Sequence, residues 1–271
     1  MKPGLIFVFS ILILSACERN NQTVQLKWKI DRNEELNYFT TMSEIDSSYF
    51  DMDFGGLNES LSGTTDEGIE ESKDFFKKLN DLPQNQNLVT TLTNRRNGVI
   101  DIVMTSKAVV IRGSVYETGG VHSFWVKSTQ KNLIALLFEL PTKPLKIGDI
   151  WPLDINLIEN DQNFTCDDAH KINEVTLIDI KIIDGETIAV LKYNIMEYVH
   201  GIFISLSSID NESDVTETET MMKLTHHGLA EFSVDKGRWI SYDAIMSMEM
   251  TGIMTVNQKT KLTLKEHNAS K

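Results

Sequence analysis

Cysteine is nearly absent: the chain has two in 271 residues, Cys17 and Cys166. Two residues build no disulfide framework, so stability has to come from burial and backbone pairing. Proline is scarce as well, with five residues, of which Pro141, Pro144 and Pro152 are gathered in one stretch. Positive charge is in deficit, 26 lysines and arginines against 39 acidic residues, for a formal net charge of −13. Such a surface repels phosphate backbones and anionic lipid, which argues against nucleic-acid binding. No apolar run reaches the ~20 residues that a membrane-spanning helix needs. Familiar catalytic motifs are missing too: there is no nucleophile elbow, no phosphate-cradling glycine loop and no zinc-binding helix pair. The chain therefore reads as non-enzymatic, without a cofactor or a metal, although a dispersed triad is recognised by geometry rather than by motif.

What is present begins at the N-terminus. Lys2 supplies a positive charge, residues 5–14 are apolar apart from Ser10, and small Ser15 and Ala16 follow. This is the charged, apolar and small-residue order of a secretory signal. A cysteine directly after it resembles the lipobox of bacterial lipoproteins, with Leu14, Ser15, Ala16 and Cys17 filling all four positions. The resemblance implies that residues 1–16 are removed, that the Cys17 thiol carries a diacylglycerol and that the new amine is acylated. Each buried methylene contributes about 0.8 kcal/mol, so three acyl chains would anchor the body firmly. Glu18 stands where an aspartate retains lipoproteins at the inner membrane of enteric bacteria. That difference points to the outer membrane, with the body facing the periplasm. Residues 17–22 read as anchor and tether. A lipidated Cys17 leaves Cys166 unpartnered, either as a small buried hydrophobe, the commoner role, or as a free thiol.

The rest of the chain is patterned for strands. Val24, Leu26, Trp28 and Ile30 alternate with polar residues, the period of a strand with one buried face. With 31–34 as a turn and 36–45 as its partner, this predicts a long hairpin. Thr64 to Glu67 matches a capping box, and Ile69, Phe75, Phe76, Leu79 and Leu82 fall near one helical face, predicting a helix over 67–82. Strands are expected over 88–93, 99–106, 108–116, 121–126 and 133–140, with Asn97-Gly98 as a hairpin turn. Residues 141–152 form a proline-rich link, a boundary or a corner between sheets. Beyond it, strands over 172–183, 187–199, 201–208, 216–225, 229–234, 239–250 and 253–264 are punctuated by turns at 184–186 and 235–238. The expected architecture is mostly β: long antiparallel hairpins forming one or more curved sheets or half-barrels, with the 67–82 helix inserted. A first half, 23–140, and a second, 153–266, precede a frayed tail at 267–271.

Met246, Met248 and Met250 alternate on one strand and so share a face, with Met254 following across Gly252. Methionine adapts to irregular apolar shapes. The stripe reads as core filling or as the lining of a groove for a hydrophobic ligand. Asp210 to Thr220 is acidic on one face and threonine-rich on the other, as suits an exposed sheet edge; it lacks the glycine and closing glutamate of a calcium loop. Asp161, Cys166, Asp167, Asp168 and His170 crowd one stretch but match no closed zinc pattern, and read as a polar loop. His226 and His227, adjacent on a strand, point to opposite faces. Through its lipobox, its long hairpins and the Pro, Gly, Asp and Trp over 144–151, the body is similar in texture to lipoproteins of Bacteroidota. That resemblance implies no activity. The expected roles are a non-catalytic module binding an envelope protein or glycan, or, alternatively, a carrier sheltering a lipid or other apolar molecule on the methionine face.

Overall fold

The computed structural model describes residues 22–32, 34–45, 49–51, 85–95, 97–106, 110–124, 128–158, 164–166, 169–207, 214–252 and 255–267. Cys17, Met254 and the expected 67–82 helix lie outside these residues. The described chain is mostly β, with one helix against a large, curved, antiparallel sheet that does not close into a barrel.

The strands are β1 (Thr23–Val24), β2 (Glu35–Glu44), β3 (Tyr49–Asp51), β4 (Asn85–Arg95), β5 (Val99–Thr105), β6 (Val110–Tyr116), β7 (Gly119–Phe124), β8 (Leu145–Lys146), β9 (Ile150–Trp151), β10 (Phe164–Cys166), β11 (His170–Ile183), β12 (Glu186–Ser207), β13 (Asp214–Ser233), β14 (Arg238–Thr251) and β15 (Thr255–Glu266). The helix, α1, spans Ser128–Phe138. In space the main sheet runs β7-β6-β5-β4-β2-β15-β14-β13-β12-β11-β9. The last strand pairs with β2, Leu264 opposite Thr40, so strands from 23–140 and from 153–266 share one sheet.

Two of the expected turns, at Asn97-Gly98 and at 184–186, form as hairpins. Asn97 and Gly98 have φ of 74° and 72° between β4 and β5, and Asp184 and Gly185 have 50° and 80° between β11 and β12. Positive φ at both central residues matches the right-handed twist of the flanking strands. Where separate strands were expected over 187–199 and 201–208, and over 216–225 and 229–234, the ladders are continuous as β12 and β13. Gly228 does not break β13, because the backbones are packed close there: a Cβ added at Gly228 would lie 2.5 Å from the Ala244 Cβ.

Two further expectations are corrected. The stretch 133–140, expected as a strand, lies largely in α1. Ile134 to Phe138 are five consecutive residues, each at most 2% exposed, so the helix end is surrounded by core and carries no alternation to read. The hairpin expected from 24–30 and 36–45 does not form either. Asp31 and Glu34 are joined, the Glu34 amide donating to the Asp31 carbonyl at 2.9 Å. The 24–30 segment alternates in burial as expected, but β2 pairs with β15 and β4 instead. The segment is held by β1 pairing with β8, and by the Trp28 and Lys29 amides donating to the carbonyls of Glu117 and Gly237 at 2.8 and 3.1 Å.

The core lies where this segment and α1 meet one face of the sheet. Trp28 packs 6.0 Å from Phe138, 5.5 Å from Phe232 and 6.0 Å from Trp239, measured between ring centres. Large side chains fully buried in this way contribute about 1.5–3 kcal/mol each relative to exposure.

Candidate functional site

Three features on or beside the covered face bear on function: the methionine stripe, a buried histidine and a cleft at the proline corner.

Met246, Met248 and Met250 lie on the covered face of β14, in line with Tyr242 and Ala244. Residues directly opposite on neighbouring strands share a face and touch. Met250 faces Met222 on one side and Val256 on the other, and Met222 faces Val199. Met248 faces Leu224 and Gln258, while Met246 faces His226 and Thr260. Only the Met250 row, Val199–Met222–Met250–Val256, is apolar across β12 to β15; polar partners interrupt the other two. Met250 is buried, Met246 is half-buried against the main core, and Met248 is half-buried. The loop at 153–158 closes on the same face over β11 and β12. The Asn156 amide donates to Asn132 Oδ1 of α1 at 2.9 Å, and the Ile158 amide to the buried Glu197 Oε2 at 2.9 Å.

His226 and His227 point to opposite faces as their adjacency requires, His226 buried and His227 exposed. His226 Nε2 lies 2.6 Å from Tyr242 Oη, which in turn donates to the Leu136 carbonyl of α1 at 3.2 Å. The Tyr242 hydroxyl has one proton, and it goes to that carbonyl. The histidine therefore donates from Nε2 and carries a bare Nδ1. That Nδ1 and the Tyr193 hydroxyl are both buried with no hydrogen-bond partner among the described residues. Burial, with a smaller contribution from His227, pushes the His226 pKa down to about 4, so the ring is neutral at physiological pH. The trio of Tyr242, Trp239 and Trp28 caps the helix. Its carbonyls at Leu136, Leu137 and Phe138 accept from Tyr242 Oη, Trp239 Nε1 at 2.8 Å and Trp28 Nε1 at 3.1 Å. A helix end buried in apolar surroundings needs such partners.

The other histidines and the acidic candidates are scattered. His122 Nδ1 lies 3.1 Å from Ser114 Oγ, and exposed His200 pairs with Glu219 at 3.0 Å. His170 is exposed, while Asp161, Asp167 and Asp168 lie outside the described residues. Among the described residues, no three His, Cys, Asp or Glu side chains are grouped to hold a metal ion. Glu217 and Glu219 are exposed on a part of β13 that pairs with β12 and lies beyond the end of the β14 ladder, consistent with an edge.

The cleft escaped sequence reasoning, although its signal was visible in the clustered prolines. It measures about 370 Å³ and is walled by Pro141, Pro144, Asp149, Trp151, Pro152 and Glu139, the residue that follows α1. The corner is held by the Asp149 carboxylate accepting from the Lys146 amide at 2.8 Å, and by Gly148 and Asp149 bonding to Leu177 of β11. Gly148 sits at φ 94°, where a side chain would be strained. Glu139 Oε2 accepts from the Asp154 amide at 2.9 Å. Burial pushes its pKa up to about 7; the Asp154 carboxylate adds to the rise, and the Asp154 amide and Lys131 oppose it. Trp151 is 8% exposed, and its indole N–H is buried with no acceptor among the described residues.

No protein-family model matches this chain, and neither a curated protein nor a solved structure matches it.

Proposed function

We propose that the chain is a lipid-anchored protein of the bacterial cell envelope, attached through Cys17 to the outer membrane and facing the periplasm. Its β body acts as a non-catalytic module that binds an envelope protein or glycan. The lipobox at 14–17 supports the attachment. The observation that carries the binding reading is the fate of the covered face: α1 ends inside it, with its last carbonyls capped by Tyr242, Trp239 and Trp28. The space a carrier would offer to an apolar cargo is taken there by the chain's own helix, which favours recognition on the outside of the body. A second reading, a carrier of an apolar molecule, draws support from the Val199–Met222–Met250–Val256 row.

The attachment is tested by fatty-acid labelling and membrane fractionation of the full chain beside Cys17→Ser. The wild type should take up label and sediment with outer membranes, and the variant should do neither. An unlabelled, soluble wild type would end the envelope reading. Cross-linking in intact membranes then asks for a discrete partner.

A further inference from the structure

Three charged side chains line the proline-corner cleft: Glu139, Asp149 and the exposed Lys143. Asp149 is also exposed and is partly engaged by the Lys146 amide. Glu139 is half-buried, and among the described residues only its Oε2 is bonded, to the Asp154 amide. Lys131, whose charge acts on Glu139, is paired instead with Asp154 at 2.7 Å. A carboxylate drawn partly out of water without its own counter-ion is unfavourable, and a cation placed beside it relieves the cost. Apart from Thr142, the remaining side chains of the wall are apolar, from Leu140 and Pro141 round to Trp151 and Pro152. Proline rings are already rigid, so they lose little freedom when a ligand seats against them. The ligand that satisfies both wall and carboxylate has an aliphatic stem and a cationic head, the build of side chains that bury the stem and present the charge at its tip. The net charge of −13 draws the same class of partner toward the body.

We infer that this cleft is a binding site for an aliphatic ammonium or guanidinium group, supplied by a lysine or arginine side chain of a partner protein. The inference rests on the binding-module reading and names one site for it. Glu139 Oε1 receives the cationic head, Asp149 adds a second negative charge, and the prolines and Trp151 flank the stem.

The Trp151 indole N–H reports on the wall. The isotope-labelled full chain in detergent micelles is titrated with butylguanidinium chloride, butylammonium chloride and butanol while its indole resonances are followed. The Trp151 signal is assigned by its loss in Trp151→Phe. Both cations should shift it saturably and bind about tenfold or more tighter than butanol. Glu139→Gln, which keeps the shape, should weaken the cations about tenfold and leave butanol unchanged. Asp149→Asn, on an exposed turn, should weaken them less. Equal shifts from butanol, no shift at all, or unchanged cation affinity in both variants would overturn the site. Capped Gly-Arg-Gly and Gly-Lys-Gly peptides should bind more tightly than the butyl cations; weaker binding would overturn the side-chain assignment in favour of a free amine. Failure here leaves membrane attachment and cross-linking standing, whereas failure of labelling at Cys17 leaves cation binding standing.

Discussion

The Tyr242 hydroxyl sits between His226 and the Leu136 carbonyl with one proton to give, and that arrangement fixes which form of the histidine the fold accepts. Protonating Nδ1 would bury a charge with no partner. The folded-state pKa of about 4 lies below the ordinary histidine value of 6.5, so between these values the unfolded chain binds the proton and the folded chain does not. Stability should therefore be lost as pH falls from 6.5 toward 4, by about 3 kcal/mol at most from this residue. Urea unfolding at several pH values should show that loss in the wild type and a smaller one in His226→Gln. Glu139 has the opposite sign. Its pKa is raised to about 7, so the folded state holds a proton that the unfolded state releases, and stability declines as pH rises from 4.5 through 7. Glu139→Gln should flatten that side of the profile. At Gly228, an added Cβ would meet the Ala244 Cβ at 2.5 Å and the Asp243 carbonyl oxygen at 2.9 Å. Gly228→Ala should cost about 1–3 kcal/mol by overpacking, read as a lower urea midpoint. Adjacency alone told that His226 and His227 face apart. The bond to Tyr242 was not legible, because it depends on the lateral register of β13 against β14, which no local pattern encodes.

Among the elements, α1 explains most of the difference between expectation and structure. An apolar run such as Leu133 to Phe138 reads the same whether it is a buried strand or a helix packed on all sides, and only tertiary surroundings decide. Its C-terminal end depends on side chains far away in the chain. Trp239→Phe keeps most of the ring packing but leaves the Leu137 carbonyl buried without its donor. The expected cost is about 1–3 kcal/mol in chemical denaturation, since an orphaned buried acceptor bears its full desolvation penalty. The hairpins at Asn97-Gly98 and Asp184-Gly185 were legible because turn chemistry is local. The 24–30 segment was half legible. Its alternation gave the buried face of Leu26, Trp28 and Ile30, yet the same alternation serves a segment laid across the core and a strand inside the sheet. The period of two put Met246, Met248 and Met250 on one face of β14, and their closeness to the core followed only from the neighbours on β13 and β15. The cleft was hidden for the converse reason: Glu139 and Trp151 are twelve positions apart and meet only because the prolines fold the corner back.

At the scale of the whole molecule, the β class and the long hairpins could be read from alternation and turns. The order of strands could not, because the pairing of β15 with β2 joins residues more than two hundred positions apart. That pairing makes one sheet from both halves of the sequence, and its covered face is packed by α1, the 24–30 segment and the 153–158 loop. Whether the chain itself occupies that face decides between a filled core and a carrier site. Native mass spectrometry of the full-length protein, released from micelles before and after organic denaturation, is the direct test. The same mass, that of the chain with whatever is covalently attached to it, is expected in both spectra. A discrete apolar molecule present before denaturation and lost after it would contradict the filled face and make the methionine stripe a carrier site.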